Sequence, residues 1–262
     1  MGRRARARAG RILNGVTITH IGGPTALIET GGWRLLTDPT FDPAGGDYSF
    51  GVGIGSTKLA GPAIPASEVG PIDPVLLSHD HHEDNLDRAG RELLAGAGTV
   101  VTTTAGAKRL GGATRGLAPW ESTRLEAPGK PAIEVTATPA RHGPPLSKPL
   151  VGDVIGFALR WDGQEHGVLW ITGDTALFEG VKQVGDRFEV DTVLLHVGAA
   201  GFPLTGPVRY TLTARDAVEL CRVVRPRTAR FRSTTRAGST STRAGTSSSA
   251  SSRSPPSTSG TP

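Results

Sequence analysis

The sequence predicts a layered α/β domain in which sheets pack between helices. Three observations lead there. Strand-like runs dominate the first part of the chain, strand-like and helical runs alternate in the rest, and 262 residues suffice for one large core. The 36 glycines and 20 prolines supply the turns that many short elements need.

In chain order, 16-VTITHIGG-23 alternates apolar and polar positions, and 25-TALIET-30, a Gly-Gly turn and 33-WRLLTD-38 read as a hairpin. Residues 39–72, rich in Gly and Pro, read as a long surface loop. The apolar run 74-PVLLS-78 reads as a buried strand, and 86-LDRAGRELLAG-96 as a helix capped by Asp84 or Asn85. Strand patterns recur in 99-TVVTTT-104, 132-AIEVTATPA-140, 154-VIGFALRW-161 and 167-GVLWITGD-174, with a turn at 162–167. A short helix over 176–183, a strand at 192-TVLLHVG-198 and a Thr-capped helix over 213–224 follow.

The net charge of +5 averages unlike regions. Residues 1–11 hold five arginines and residues 225–262 hold seven, with no acid in either, which leaves 17 basic against 24 acidic residues between them. The basic ends, 1–11 and 229–262, read as disordered tails around a domain over 12–228. Residues 233–262 contain 11 Ser and 7 Thr, a composition that cannot bury a core. The acidic middle argues against nucleic acid as a partner. No apolar run reaches the roughly 18 residues of a membrane span, nor does the N-terminus read as a signal peptide. A single cysteine, Cys221, suits a reducing compartment. The expectation is a cytoplasmic protein acting on a small molecule, with its oligomeric state left open.

Histidines and carboxylates gather at strand ends. The segment 78-SHDHHEDNLD-87 carries His79, His81, His82 and Asp84; His142 follows 132–140, Asp174 follows 167–173, and His196 lies in 192–198. Imidazoles and carboxylates converging on one point can hold a divalent ion that lowers the pKa of a bound water to around 7. Strand ends suit this, because the strand is rigid while the loop turns the ligands inward.

With 19-THIGGPTALIETGGWRLLTDPTF-41, 75-VLLSHDHHEDNLD-87, 139-PARHG-143, 172-TGDTA-176 and 213-TARDAVEL-220, the chain resembles metallo-β-lactamase-fold hydrolases of the branch that includes UlaG-like lactonases and phospholipase D-like enzymes. The resemblance covers about residues 12–228 and implies an αββα sandwich. The family motif is His-x-His-x-Asp-His. Laid on without a gap, His79 and His81 match, while Glu83 and Asp84 replace the last two residues. With one extra residue, His79, His82 and Asp84 match, Asn85 replaces the final histidine, and the customary Leu-Asp falls on Leu86-Asp87. The second alignment is preferred and leaves His81 as the insertion.

The resemblance then implies one metal on His79, His82 and His142, with Asp174 bridging towards a second site depleted to Asp84 and Asp174. Zinc is the expected ion, with Mn or Fe as alternatives. The implied reaction is attack of a metal-bound hydroxide on an ester, lactone or phosphodiester, with Asp84 as proton acceptor or water orienter. Asp38 orients a ligand histidine or caps the following turn, and His196 lines the pocket or packs. His20 and His166 read as non-ligands. The glycines at 22–23 and 51–55 lack the Lys-Ser/Thr ending of a phosphate loop.

The family's last ligand, a histidine on a strand after the 213–224 helix, has no counterpart, since no histidine follows His196. The last strand or helix is therefore expected to be missing or degraded. Read in the neighbouring frame, 231-FRSTTRAG-238 and the codon before it admit Val-Pro-Val-His-Tyr-Glu-Gly-Trp, which points to a frameshift near Arg230. Two rival readings follow: a catalytically impaired family member, or a nucleic-acid-binding protein or nuclease acting through its basic ends.

Overall fold

The computed structural model describes residues 8–13, 15–51, 54–145, 151–201 and 208–233. The first half of the chain makes a seven-stranded sheet. Its strands are β1 (Arg8–Leu13), β2 (Val16–Gly22), β3 (Thr25–Thr30), β4 (Trp33–Thr37), β7 (Pro74–Leu76), β8 (Thr99–Thr103) and β9 (Thr114–Leu117), in the order β1-β2-β3-β4-β7-β8-β9. The first four pair antiparallel and the rest parallel. Gly31 and Gly32 both take positive φ, 51° and 81°, as the tight turn between β3 and β4 requires.

The second half repeats the scheme. Strands β10 (Ser122–Leu125), β11 (Ile133–Pro139), β12 (Ile155–Trp161) and β13 (Val168–Ile171) pair antiparallel, and β14 (Val190–Val197) and β15 (Thr228–Ser233) add in parallel.

Side-chain alternation sends each sheet's residues to two covered faces. Ile28, Leu35, Leu76 and Val101 of the first sheet meet Val135, Phe157, Leu159 and Leu194 of the second in the central core. On the outer face of the first sheet, Leu27, Leu36 and Val75 pack against Val69 of α1 (Ala66–Val69) and Leu93 and Leu94 of α2 (Arg88–Leu94). Outside the second sheet, Trp170, Val193 and Leu195 pack on α4 (Glu179–Lys182), α5 (Val184–Arg187) and α6 (Ala214–Val224), through Val181, Val184, Ala217 and Leu220. The layers are therefore α, β, β, α. Among the described residues, no helix is long and apolar enough to cross a membrane.

Several expectations need correction. The 39–72 loop contains a hairpin, β5 (Asp47–Gly51) with β6 (Ile54–Thr57), and α1. The cap of α2 is Asp87, whose carboxylate accepts from Gly90 N–H, because the turn at His82–Leu86 delays the helix start past Asp84 and Asn85. Helix α3 (Thr104–Leu110) and strands β9 and β10 had no apolar signal to mark them. The last strand is present: β15 pairs with β14 from Thr192↔Thr228 to Val197↔Ser233. Backbone pairing at a sheet edge needs no apolar side chains, and Phe231 is indeed exposed. The described strands run from Arg8 to Ser233. The rest of the tail expectations, over 1–7 and 234–262, lie outside the described residues.

Candidate metal centre

The site forms where β7, β11, β13 and β14 end. Past β7, Asp38 at the end of β4 accepts the Ser78 N–H at 2.6 Å, and its own N–H donates to Leu76 O at 3.1 Å. Ser78 O in turn accepts from Ile155 N–H across the two sheets at 3.1 Å. At Gly173 (φ 61°) an added Cβ would lie 2.6 Å from Ile155 O and 3.1 Å from Ser78 Cβ, so only glycine lets the sheets approach this closely. These contacts fix the segment from Ser78 onward.

Of the histidines singled out in the sequence, the structure brings together His79, His82 and His142. One ring nitrogen from each lies within 4.8 Å of the others, all three residues are buried, and the ring centroids stand 5.2–5.4 Å apart. His142 Nδ1 is 3.0 Å from Tyr210 O. A carbonyl only accepts, so Nδ1 carries the proton and Nε2 presents a lone pair. Tyr210 O also accepts from Gly143 N–H at 3.1 Å. His79 Nδ1 lies 3.0 Å from Ser78 Oγ, and its Nε2 is buried with no hydrogen-bond partner.

Burial, then the neighbouring imidazoles, drive His79 well below the ordinary histidine range. The same causes push His82 down to about 3, and burial pushes His142 down to about 4. Three neutral imidazoles in a buried cluster are a donor set that could hold a cation.

Asp84, half-buried, and the buried Asp174 lie outside the three-nitrogen cluster, each with one buried carboxylate oxygen lacking a partner. Burial raises Asp84 to about 6, and Glu83 adds to it. Asp174 is raised well above the carboxylate range by burial, then by Asp84 and Asp38. Carboxyls held this high lack a compensating positive charge.

Asn85 turns its amide to Ser78 Oγ at 3.1 Å, so it props the serine that contacts His79. His81 stands apart, with Nδ1 3.3 Å from Arg109 Nη2, while Arg109 clasps the buried Asp80 at 2.6 and 2.8 Å. His196 is fully buried on β14, its Nε2 3.6 Å from Asp38 Oδ2. His20 Nε2 meets Gly23 O at 3.0 Å, and His166 lies beside Glu165.

Sequence reasoning missed Ser78, Tyr210, Arg109 and Arg141. Only Ser78 and Arg141, each next to a histidine, carried a positional signal. A cleft of about 460 Å³ opens beside His142, lined among others by Thr103, Pro119, Arg141, Gly152 and Asp153.

The beta-lactamase superfamily domain matches residues 33–231. A UPF0173 metal-dependent hydrolase of Opitutus terrae is 30% identical over 224 residues, covering 81% of this chain and 82% of the relative. Among solved structures, an isothiocyanate hydrolase from Delia radicum gut bacteria superposes with a TM-score of 0.67 at 19% identity, covering 82% of this chain and 84% of that one. A metallo hydrolase of the archaeon Ignicoccus hospitalis superposes with a TM-score of 0.58 at 19% identity, over 83% and 82% of the two chains.

Proposed function

The chain belongs to the beta-lactamase superfamily and is a metal-dependent hydrolase, and from that premise we propose that His79, His82 and His142 hold a single zinc ion beside Asp174 and that the substrate is a small-molecule ester, lactone or phosphodiester. The observation that carries the reading is the donor set. His142 Nε2 is left with a lone pair by its bond to Tyr210 O, and His79 Nε2 is buried with no partner. Three imidazoles and a carboxylate are a donor set that suits zinc.

A divalent ion bound there supplies a water of lowered pKa and a positive charge for a developing oxyanion. The chain's own groups do the remainder. Tyr210 O holds the His142 ring in register, and Ser78, propped by Asn85, holds that of His79. Asp84, whose buried Oδ1 has no partner, would accept the proton of the attacking water. Among the described residues, the donors left for a second ion are Asp84 and Asp174, because the Asn85 amide is committed to Ser78. A cytoplasmic setting fits the lone cysteine, Cys221.

Metal analysis of the purified chain, with ester and phosphodiester assays alongside, tests this. About one zinc per chain is expected, lost in His79→Ala, His82→Ala and His142→Ala and retained in His81→Ala. Two tightly held ions, or retention in His142→Ala, would overturn the assignment.

A further inference from the structure

Arg141 lies in the cleft beside the three histidines and, among the described residues, has no acidic partner. It precedes His142, lines the cleft, and has its guanidinium carbon 4.7 Å above the Phe178 ring. Its backbone is pinned on both sides: Arg141 N–H donates to Thr175 Oγ at 3.0 Å, and Arg141 O accepts from Ala176 N–H at 2.8 Å. The side chain is thus held at both ends.

Its Nε is nevertheless buried without an acceptor. Among the described residues, no carboxylate comes within ion-pair distance of it. A buried, unsatisfied donor on a fixed guanidinium calls for a ligand with oxygen acceptors. Among the described residues, Arg109 is engaged with Asp80 and Lys58 with Asp87.

We propose that Arg141, platformed on Phe178, is a specificity-determining residue that receives an anionic group of the substrate, a carboxylate or a phosphate, while the scissile bond lies at the histidine cluster. This rests on the hydrolase reading above and adds the substrate's charge to it. The guanidinium fork matches either oxyanion, and its contact with the Phe178 face takes none of its N–H donors.

The test compares two 4-nitrophenyl esters of similar length on the zinc-loaded full chain, the neutral butyrate and the anionic monoglutarate. Wild type should favour the anionic ester by about 10- to 100-fold in kcat/KM, the range of a charge-assisted hydrogen bond. In Arg141→Met that ratio should collapse towards one, mainly through KM of the anionic ester, and Arg141→Lys should restore part of it. Zinc content is measured on each variant, so a disturbed His142 is seen directly. An absent preference in wild type, or one that persists in Arg141→Met, overturns the proposal.

If wild type cleaves neither ester, the hydrolase reading is what suffers. The anion site is then judged by calorimetry with glutarate and with methyl phosphate, and the tighter of the two identifies the oxyanion. Binding weakened in Arg141→Met sustains the site. Binding that is absent, or equal in the two proteins, removes it.

Discussion

Replacing Asp87 by alanine should come close to unfolding the protein, although Asp87 is not a ligand. Its carboxylate is fully buried and accepts from Asp42 N–H at 2.6 Å, Gly90 N–H at 2.8 Å, Lys58 Nζ at 2.9 Å and Tyr48 Oη at 3.2 Å. One side chain thus caps α2 and ties down the β5–β6 hairpin. Lys58 is itself buried, so removing the carboxylate strands an ammonium, which costs about 3–5 kcal/mol. Loss of the helix cap adds about 1 kcal/mol. The total of about 4–6 kcal/mol is a large share of the 5–15 kcal/mol that holds a typical domain together. Urea unfolding of zinc-loaded wild type, Asp87→Ala and the double variant Asp87→Ala/Lys58→Met measures it. The double variant should recover about 2 kcal/mol or more, since it no longer buries a lone charge. A single-variant loss under about 2 kcal/mol, or no recovery in the double variant, refutes the reasoning.

The other predictions concern the same neighbourhood. In metal-free protein His82 sits near 3 and His142 near 4, whereas an unfolded imidazole titrates near 6.5. Below pH 6.5 the unfolded chain therefore binds more protons, and stability contributed by these histidines is lost as pH falls towards 4 and then 3. Asp84, raised to about 6 by burial, acts in the opposite sense between 3.8 and 6. Between pH 7 and 4.5 the urea midpoint of metal-free protein should fall less steeply in His142→Gln than in wild type; equal slopes would show that His142 is not buried as a neutral ring. Gly90→Ala places a Cβ 1.9 Å from Pro39 O and should destabilise by about 3 kcal/mol, read by thermal unfolding. Thr213→Ala breaks the capping box with Asp216 and should cost about 1 kcal/mol in the same assay.

Much of the fold was legible because its strands obey simple alternation. The hairpin of β3 and β4, the buried run of β7 and the amphipathic helix α6 announce themselves by period and by turn or cap residues. Helix α3, Thr104–Leu110, did not: it lies between Thr-rich and Gly-rich stretches, and among its residues only Gly106 is buried. At the site, choosing between His81 and His82 required an alignment with a gap, whereas the structure separates them by direction, one towards Arg109 and the other towards His142. Tyr210 was out of reach, because its contribution is a backbone carbonyl 68 residues from the histidine it holds. No side-chain pattern encodes a contact of that kind.

That carbonyl has a further consequence. Tyr210 O spends one lone pair on Gly143 N–H and the other on His142 Nδ1–H. The loop that carries it, anchored by Tyr210 N–H to Ala200 O, therefore shares a free energy with the histidine cluster. Drawing the loop away deprives His142 of the acceptor that sets its tautomer. By thermodynamic reciprocity, whatever a filled cluster gains from that contact, the contact gains from a filled cluster.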